Sequence, residues 1–97
     1  MNEATISDVF RALEEELAAL EHERWAHWQD YVHQQAEARP DGSLVIPVEL
    51  AERWARQIAT PYADLSEAEK ESDRQQVRRY LPLIEAAMQK VIGPSSA

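Results

Sequence analysis

TPYADLSEAEKESDR, running from Thr60 to Arg74, contains one helix stop and one helix start within a few residues. Thr60 precedes Pro61, whose ring pushes its neighbour out of the α region, so a helix arriving there ends. Leu65-Ser66 then opens a new helix. Ser66 can cap the exposed amides, and Glu69, three residues on, can reach back to complete a capping box. From Ser66 the chain reads as helix. Its apolar stripe is expected at Val77, Tyr80 or Leu81, Ile84, Met88 and Val91, at steps of three and four.

Extended backwards, that stripe lands on Lys70, Asp73 and Arg74, charged residues where the period calls for core. One reading is a helix whose first turns project into water, with Lys70 and Asp73 as an i,i+3 pair. The other is a polar pocket wall beneath the turn that holds Pro61 and Tyr62. Further along, Pro82 falls in mid-pattern and should kink the helix. Gly93-Pro94 ends it, and the last residues read as a loose tail.

Upstream of Thr60, Pro47 suits a helix's first turn, and Val48 to Ala59 reads as a helix with Leu50, Trp54 and Ile58 inside. Arg53 and Gln57 flank Trp54. The stretch Arg39 to Ser43, RPDGS, is rich in turn formers and is the clear loop. Leu44-Val45-Ile46 is either a very short strand or apolar linker; with no obvious partner strand, linker is favoured. Before the loop, Thr5 or Ser7 can cap a first helix expected to reach Glu37 or Ala38. Its face is Ile6, Val9, Phe10, Leu13, Leu17, Leu20, Trp28 and Tyr31. More than thirty residues exceeds ordinary globular length, so a kink or break is weighed.

Two features of this first helix break the pattern. Arg24 sits at the centre of the apolar stripe. His22, Trp25, Gln29 and Val32 define a second face away from it. A tryptophan there is either a packing anchor for a neighbouring helix or an aromatic wall on which bases stack, worth ~1–3 kcal/mol each. The fold expected is therefore all-α: three principal helices, the first long and the last kinked, in one domain over 1–97, with 1–5 and 93–97 flexible.

Composition narrows the function. Eighteen acidic against ten basic side chains give a net charge of −8. That argues against wrapping duplex nucleic acid and against adsorption to anionic membranes, both of which use a basic surface. A small anionic ligand held by a few cations remains open. There is no cysteine, hence no thiolate nucleophile and no disulfide. No signal peptide or spanning segment is visible, so a cytoplasmic protein is expected. At 97 residues the chain buries roughly 60–65% of its unfolded surface, and homo-oligomerisation would help it.

No catalytic constellation stands out. Phosphate-binding glycine loops and nucleophile elbows are absent, and His22, His27 and His33 are not spaced to share one zinc. Glu21 and Glu23 beside His22 are common residues in a glutamate-rich chain. No cofactor is expected. What remains is binding: Trp25, Trp54 and Tyr62 offer flat surfaces, and Arg24, Arg53, Lys70 and Arg74 offer positive charge. His22, Gln29, Gln57, Thr60 and Asp73 offer directional hydrogen bonds. Such a mix suits a nucleobase with phosphates.

The segments His22-Glu23-Arg24-Trp25, Pro61-Tyr62-Ala63-Asp64-Leu65 and Glu69-Lys70-Glu71-Ser72-Asp73-Arg74 resemble the RyR domain. That module is repeated in ryanodine receptors and stands alone in bacteria and phages. Its pattern is His-Glu-x-Trp, then Pro-Tyr-x-x-Leu, then Glu-Lys-x-x-Asp-Arg. The resemblance spans roughly the middle half of the chain. Between the segments, the receptor-type module has a Gly-Trp and Tyr-Gly region where this chain has AERWARQ; in that it is similar to short phage and prophage proteins. The resemblance implies a non-catalytic binder of a nucleotide-derived small molecule. It further suggests a phage sponge for a cyclic-nucleotide or ADP-ribose-type immune signal, acting in the host cytoplasm. The rival expectation is a protein-interaction module, a phage inhibitor or adaptor working through the acidic amphipathic first helix.

Overall fold

A computed structural model describes residues 5–93. The element order is α1 (Ile6–Gln35), β1 (Glu37–Ala38), β2 (Leu44–Val45), α2 (Val48–Ala59), a 3₁₀ turn (Tyr62–Asp64) and α3 (Glu67–Ile92). The protein is mainly α, with three helices and a two-stranded hairpin. The flexibility expected of 1–5 and 93–97 falls outside the described residues except at Thr5 and Gly93. Both of those carry structure. The Thr5 hydroxyl accepts from the Asp8 amide at 3.1 Å and its carbonyl from Val9 at 3.0 Å, capping α1. Gly93, at φ +89°, donates to Gln89 at 2.8 Å and closes α3.

Helix α1 is a single helix of 30 residues, ending a little before Glu37 because the chain there enters a sheet. Of the two readings of 44–46, the very short strand holds over the favoured linker, and it spans Leu44–Val45. Its partner is the residue pair just past α1, antiparallel, with Glu37 opposite Val45 and Ala38 opposite Leu44. Glu37-Ala38 reads as the tail of a helix, so its strand character is invisible until the loop doubles back. Arg39-Pro40-Asp41-Gly42 is the turn: Gly42 donates to the Arg39 carbonyl at 3.0 Å and takes φ +89°. Asp41 Oδ1 accepts from the Ser43 amide and hydroxyl at 2.9 and 2.6 Å. Those two donors hold the Asp41 carboxyl below its ordinary pKa.

The described residues divide into two compact units, 5–24 with 73–93 and 25–72. The first is a helical hairpin. Val9, Leu13 and Ala87 are its buried core, with Leu17, Leu83 and Val91 packed around them. On α1 Val9, Leu13 and Leu17 belong to the expected face, but Ile6, Phe10, Trp28 and Tyr31, expected with them, are exposed. On α3 the covered face is not the expected one. The covered residues are Gln76, Tyr80, Leu83, Ala87 and Val91, whereas Val77, Leu81, Ile84 and Met88 are exposed. Both sets step by three and four, so periodicity alone supports either. The small Ala87 lets α1 approach where Met88 or Ile84 would hold it off.

No residue of the second unit is fully shielded from solvent. Leu50, Trp54 and Gln57 form the half-buried face of α2, and Ile58, expected inside, is 86% exposed. An amide takes the position because it finds a hydrogen-bond partner there, as described below. Pro47 precedes α2 and its carbonyl accepts from Leu50 and Ala51, both at 3.0 Å. Thr60 ends α2 in the extended conformation that Pro61 demands, φ −103° and ψ 122°. The capping box forms as read: Ser66 donates its amide to Glu69 Oε1 at 3.1 Å, and the Glu69 amide donates to Ser66 Oγ at 3.2 Å. Helix α3 then runs through Pro82 to Ile92.

Candidate ligand-binding site

Within residues 25–72, the turn between α2 and α3 carries the densest set of the residues singled out in the sequence. The Pro61 carbonyl accepts from Asp64 at 2.9 Å and that of Tyr62 from Leu65 at 3.1 Å, so Tyr62 sits in a closed 3₁₀ turn. Its ring is half exposed, at 49%. One helical turn into α3, Lys70 lies with its ammonium 5.9 Å from the Tyr62 ring centroid. The Lys70 side chain is only 19% exposed, and its Nζ is 3.7 Å from Glu67 Oε1. A cation over a phenol ring at this distance is worth roughly 0.5–1 kcal/mol at an exposed site.

Beside that pair, Gln57 on α2 donates its amide to Glu69 Oε2 at 2.5 Å. Glu69 therefore closes the helix cap with one oxygen and ties α2 to the start of α3 with the other. Its carboxyl is held below the ordinary range, first by the Ser66 backbone amide, then by the Ser66 hydroxyl and the Gln57 amide. Thr60 is committed locally: its hydroxyl donates to the Arg56 carbonyl at 2.6 Å.

The aromatic residues divide by role. Trp54 packs edge-on to Trp28, with ring centroids 5.5 Å apart and planes at 62°, and Trp28 stacks on Tyr31 at 5.5 Å and 29°. Trp54 is thus a packing residue of this unit. Trp25 is 53% exposed. Gln29 is half-buried on α1, and Arg53 is exposed on α2.

His22, Arg24, Asp73 and Arg74 belong to the other unit. Arg24, the cation at the centre of the apolar stripe, is tied down: its Nε donates to Glu21 Oε2 at 3.0 Å and its Nη2 to Glu21 Oε1. The Tyr80 hydroxyl donates to the same carboxylate at 2.5 Å. Arg24 first, and Tyr80 second, lower the Glu21 pKa to about 2, while the Tyr80 phenol is raised chiefly by its bond to Glu21. Arg79 pairs with Glu23 at 3.0 Å. His22 and Asp73 are exposed and Arg74 is half-buried.

This same hairpin carries a groove of about 530 Å³, lined by Phe10, Leu13, Glu14, Leu17, Ala18, Glu21 and Tyr80. Sequence reading passed it over. The Glu21-to-Arg24 spacing signals a local ion pair, but Tyr80 joins it from 59 residues away, and only the hairpin brings it there. Among the described residues no group of three or more His, Cys, Asp or Glu is placed to hold a metal ion, and no helix is long and apolar enough to cross a membrane. Comparison with protein-family models, curated proteins and solved structures finds no match.

Proposed function

We propose that this chain is a non-catalytic binding module for a nucleotide-derived small molecule, with Tyr62 and Lys70 at the centre of the site. The observation that carries the reading is the half-exposed Tyr62 ring with an ammonium group held beside it. A base stacks on the open phenol surface, and a phosphate takes Lys70. Trp25, also half exposed, offers a second stacking surface in the same unit. The resemblance of this segment to the RyR domain points to the same ligand class. A sponge that sequesters a cyclic-nucleotide or ADP-ribose-type immune signal in a host cytoplasm needs nothing more than such a site.

The test is a thermal-shift panel of cyclic oligonucleotides and ADP-ribose isomers. A ligand present at 100 times its dissociation constant adds about 2.7 kcal/mol of stability, a visible rise in Tm for a chain of this length. Tyr62→Ala and Lys70→Met should each remove the shift, and Tyr62→Phe should keep it. A panel in which nothing shifts the native protein sinks the reading.

A second reading, a protein-interaction module, is favoured by the exposed Ile6 and Phe10 on the acidic helix α1. Recovery of one stable foreign partner, from a chain that no nucleotide stabilises, is the result that would replace the first reading with this one.

A further inference from the structure

The helical hairpin formed by residues 5–24 and 73–93 leaves a second apolar face uncovered. On α1 the face is a groove whose walls are Phe10, Leu13, Leu17 and the small Ala18. On α3 it is a ridge: Val77, Leu81, Ile84 and Met88 are 53, 51, 38 and 43% exposed. Groove and ridge lie on the same flank of the hairpin. Tyr80 shows this, because it lines the groove and belongs to the edge of the covered stripe of α3 that borders the uncovered one.

We infer that this face is covered by a second copy of the same chain, each copy's α3 ridge seated in the other's α1 groove. Three observations single out this occupant. The first is shape. A two-fold pairing brings groove to ridge twice, as an isologous interface requires, whereas α1 against α1 would place two grooves together and leave a void.

The second is charge. Between Ile6 and Arg24, α1 carries six acidic and two basic side chains; between Asp73 and Ile92, α3 carries two acidic and four basic. Glu14 and Glu21 line the groove, and Arg74 and Arg78 precede Leu81 at helical spacing, bordering the ridge. Setting α1 over the partner's α3 pairs opposite signs, and setting α1 over α1 opposes like ones.

The third is the size of the core: among the described residues the hairpin buries only Val9, Leu13 and Ala87, so covering the exposed ridge adds apolar burial that the single chain lacks.

Light scattering and sedimentation on the full chain test this. At about 100 µM the native protein should have twice the 11.1 kDa of one chain. Leu81→Glu should raise the dimer dissociation constant at least ~100-fold, and Ile58→Glu, on the other unit, should leave it unchanged. Because Leu81→Glu can also unfold an obligate dimer, a cross-link supplies a second measurement. The chain has no cysteine, so Ala18→Cys and Ile84→Cys chains can be oxidised alone and mixed. A covalent dimer should form from the mixture and from neither chain alone. A single-chain mass, a mass above two copies, a dimer indifferent to Leu81→Glu, or Ala18→Cys chains that link to themselves would each overturn the pairing. So would a foreign protein bound to this face on a monomeric chain. None of these results depends on whether a nucleotide binds near Tyr62.

Discussion

The hairpin unit and the unit of residues 25–72 are held together by different physics. The hairpin has every buried residue found among those described: Val9, Leu13 and Ala87. Its stability rests on apolar contact between helices distant in sequence. Residues 25–72 have none, and are held by directional bonds instead: the Asp41–Ser43 turn, the Ser66–Glu69 box, the Gln57–Glu69 tie and the Trp28–Trp54 edge contact. A unit made this way keeps polar and aromatic side chains at its surface, where a ligand can use them. The hairpin must hide its side chains, and the apolar face it leaves exposed is the one the proposed pairing would cover.

If this contrast is right, the largest loss comes from the hairpin core. Leu13→Ala should cost about 2–5 kcal/mol, read by denaturant unfolding with an unchanged m-value. A loss below 1 kcal/mol would mean that the core does not carry the hairpin. Next comes Trp54→Ala, expected to cost about 2 kcal/mol, since Trp54 is only half-buried but gives up both its area and its edge contact with Trp28. Ser66→Ala follows at about 1 kcal/mol, the loss of one helix cap. It should also loosen Glu69, raising its carboxyl towards the ordinary value, which a carbon-13 titration of that side chain would follow.

Hydrogen exchange compares the two units directly. Amides of residues 9–20 and 83–91 should outlast those of 48–59, because local opening of α2 uncovers little apolar surface. Equal protection would erase the distinction. The smallest effect is on pH. Glu21 has a depressed pKa, so its contribution is complete above the ordinary carboxylate value, near 4.5, and is lost as pH falls towards about 2. Tyr80 is raised, so its share is complete below its ordinary value near 10 and fades as pH climbs past that. Tyr80→Phe should remove the alkaline limb entirely and raise the Glu21 titration midpoint.

Much of the local structure could be read in the residues. Pro61 ended α2 at Thr60, Ser66 and Glu69 formed the capping box, Pro47 preceded α2 and Thr5 capped α1, because each of these acts within four residues of itself. The candidate site was legible to the same depth. Tyr62 and Lys70 lie eight residues apart across one turn, and they meet. Arg24 was picked out as a cation in an apolar stripe, yet its partners are Glu21 and, through that carboxylate, Tyr80.

The sequence by itself determined where α1 and α3 begin, where α2 begins and ends, and which helix faces are apolar, since those follow from backbone sterics and a period of 3.6 residues. Only the tertiary structure decided which of two adjacent stripes on α3 meets α1, that Glu37-Ala38 pairs with Leu44-Val45, and that Gln57 replaces Ile58 on the inner face of α2. The reason is common to all three. A stripe, a strand edge or an amide gains free energy only when a complementary group arrives from elsewhere in the chain, and local sequence holds no record of which group that is.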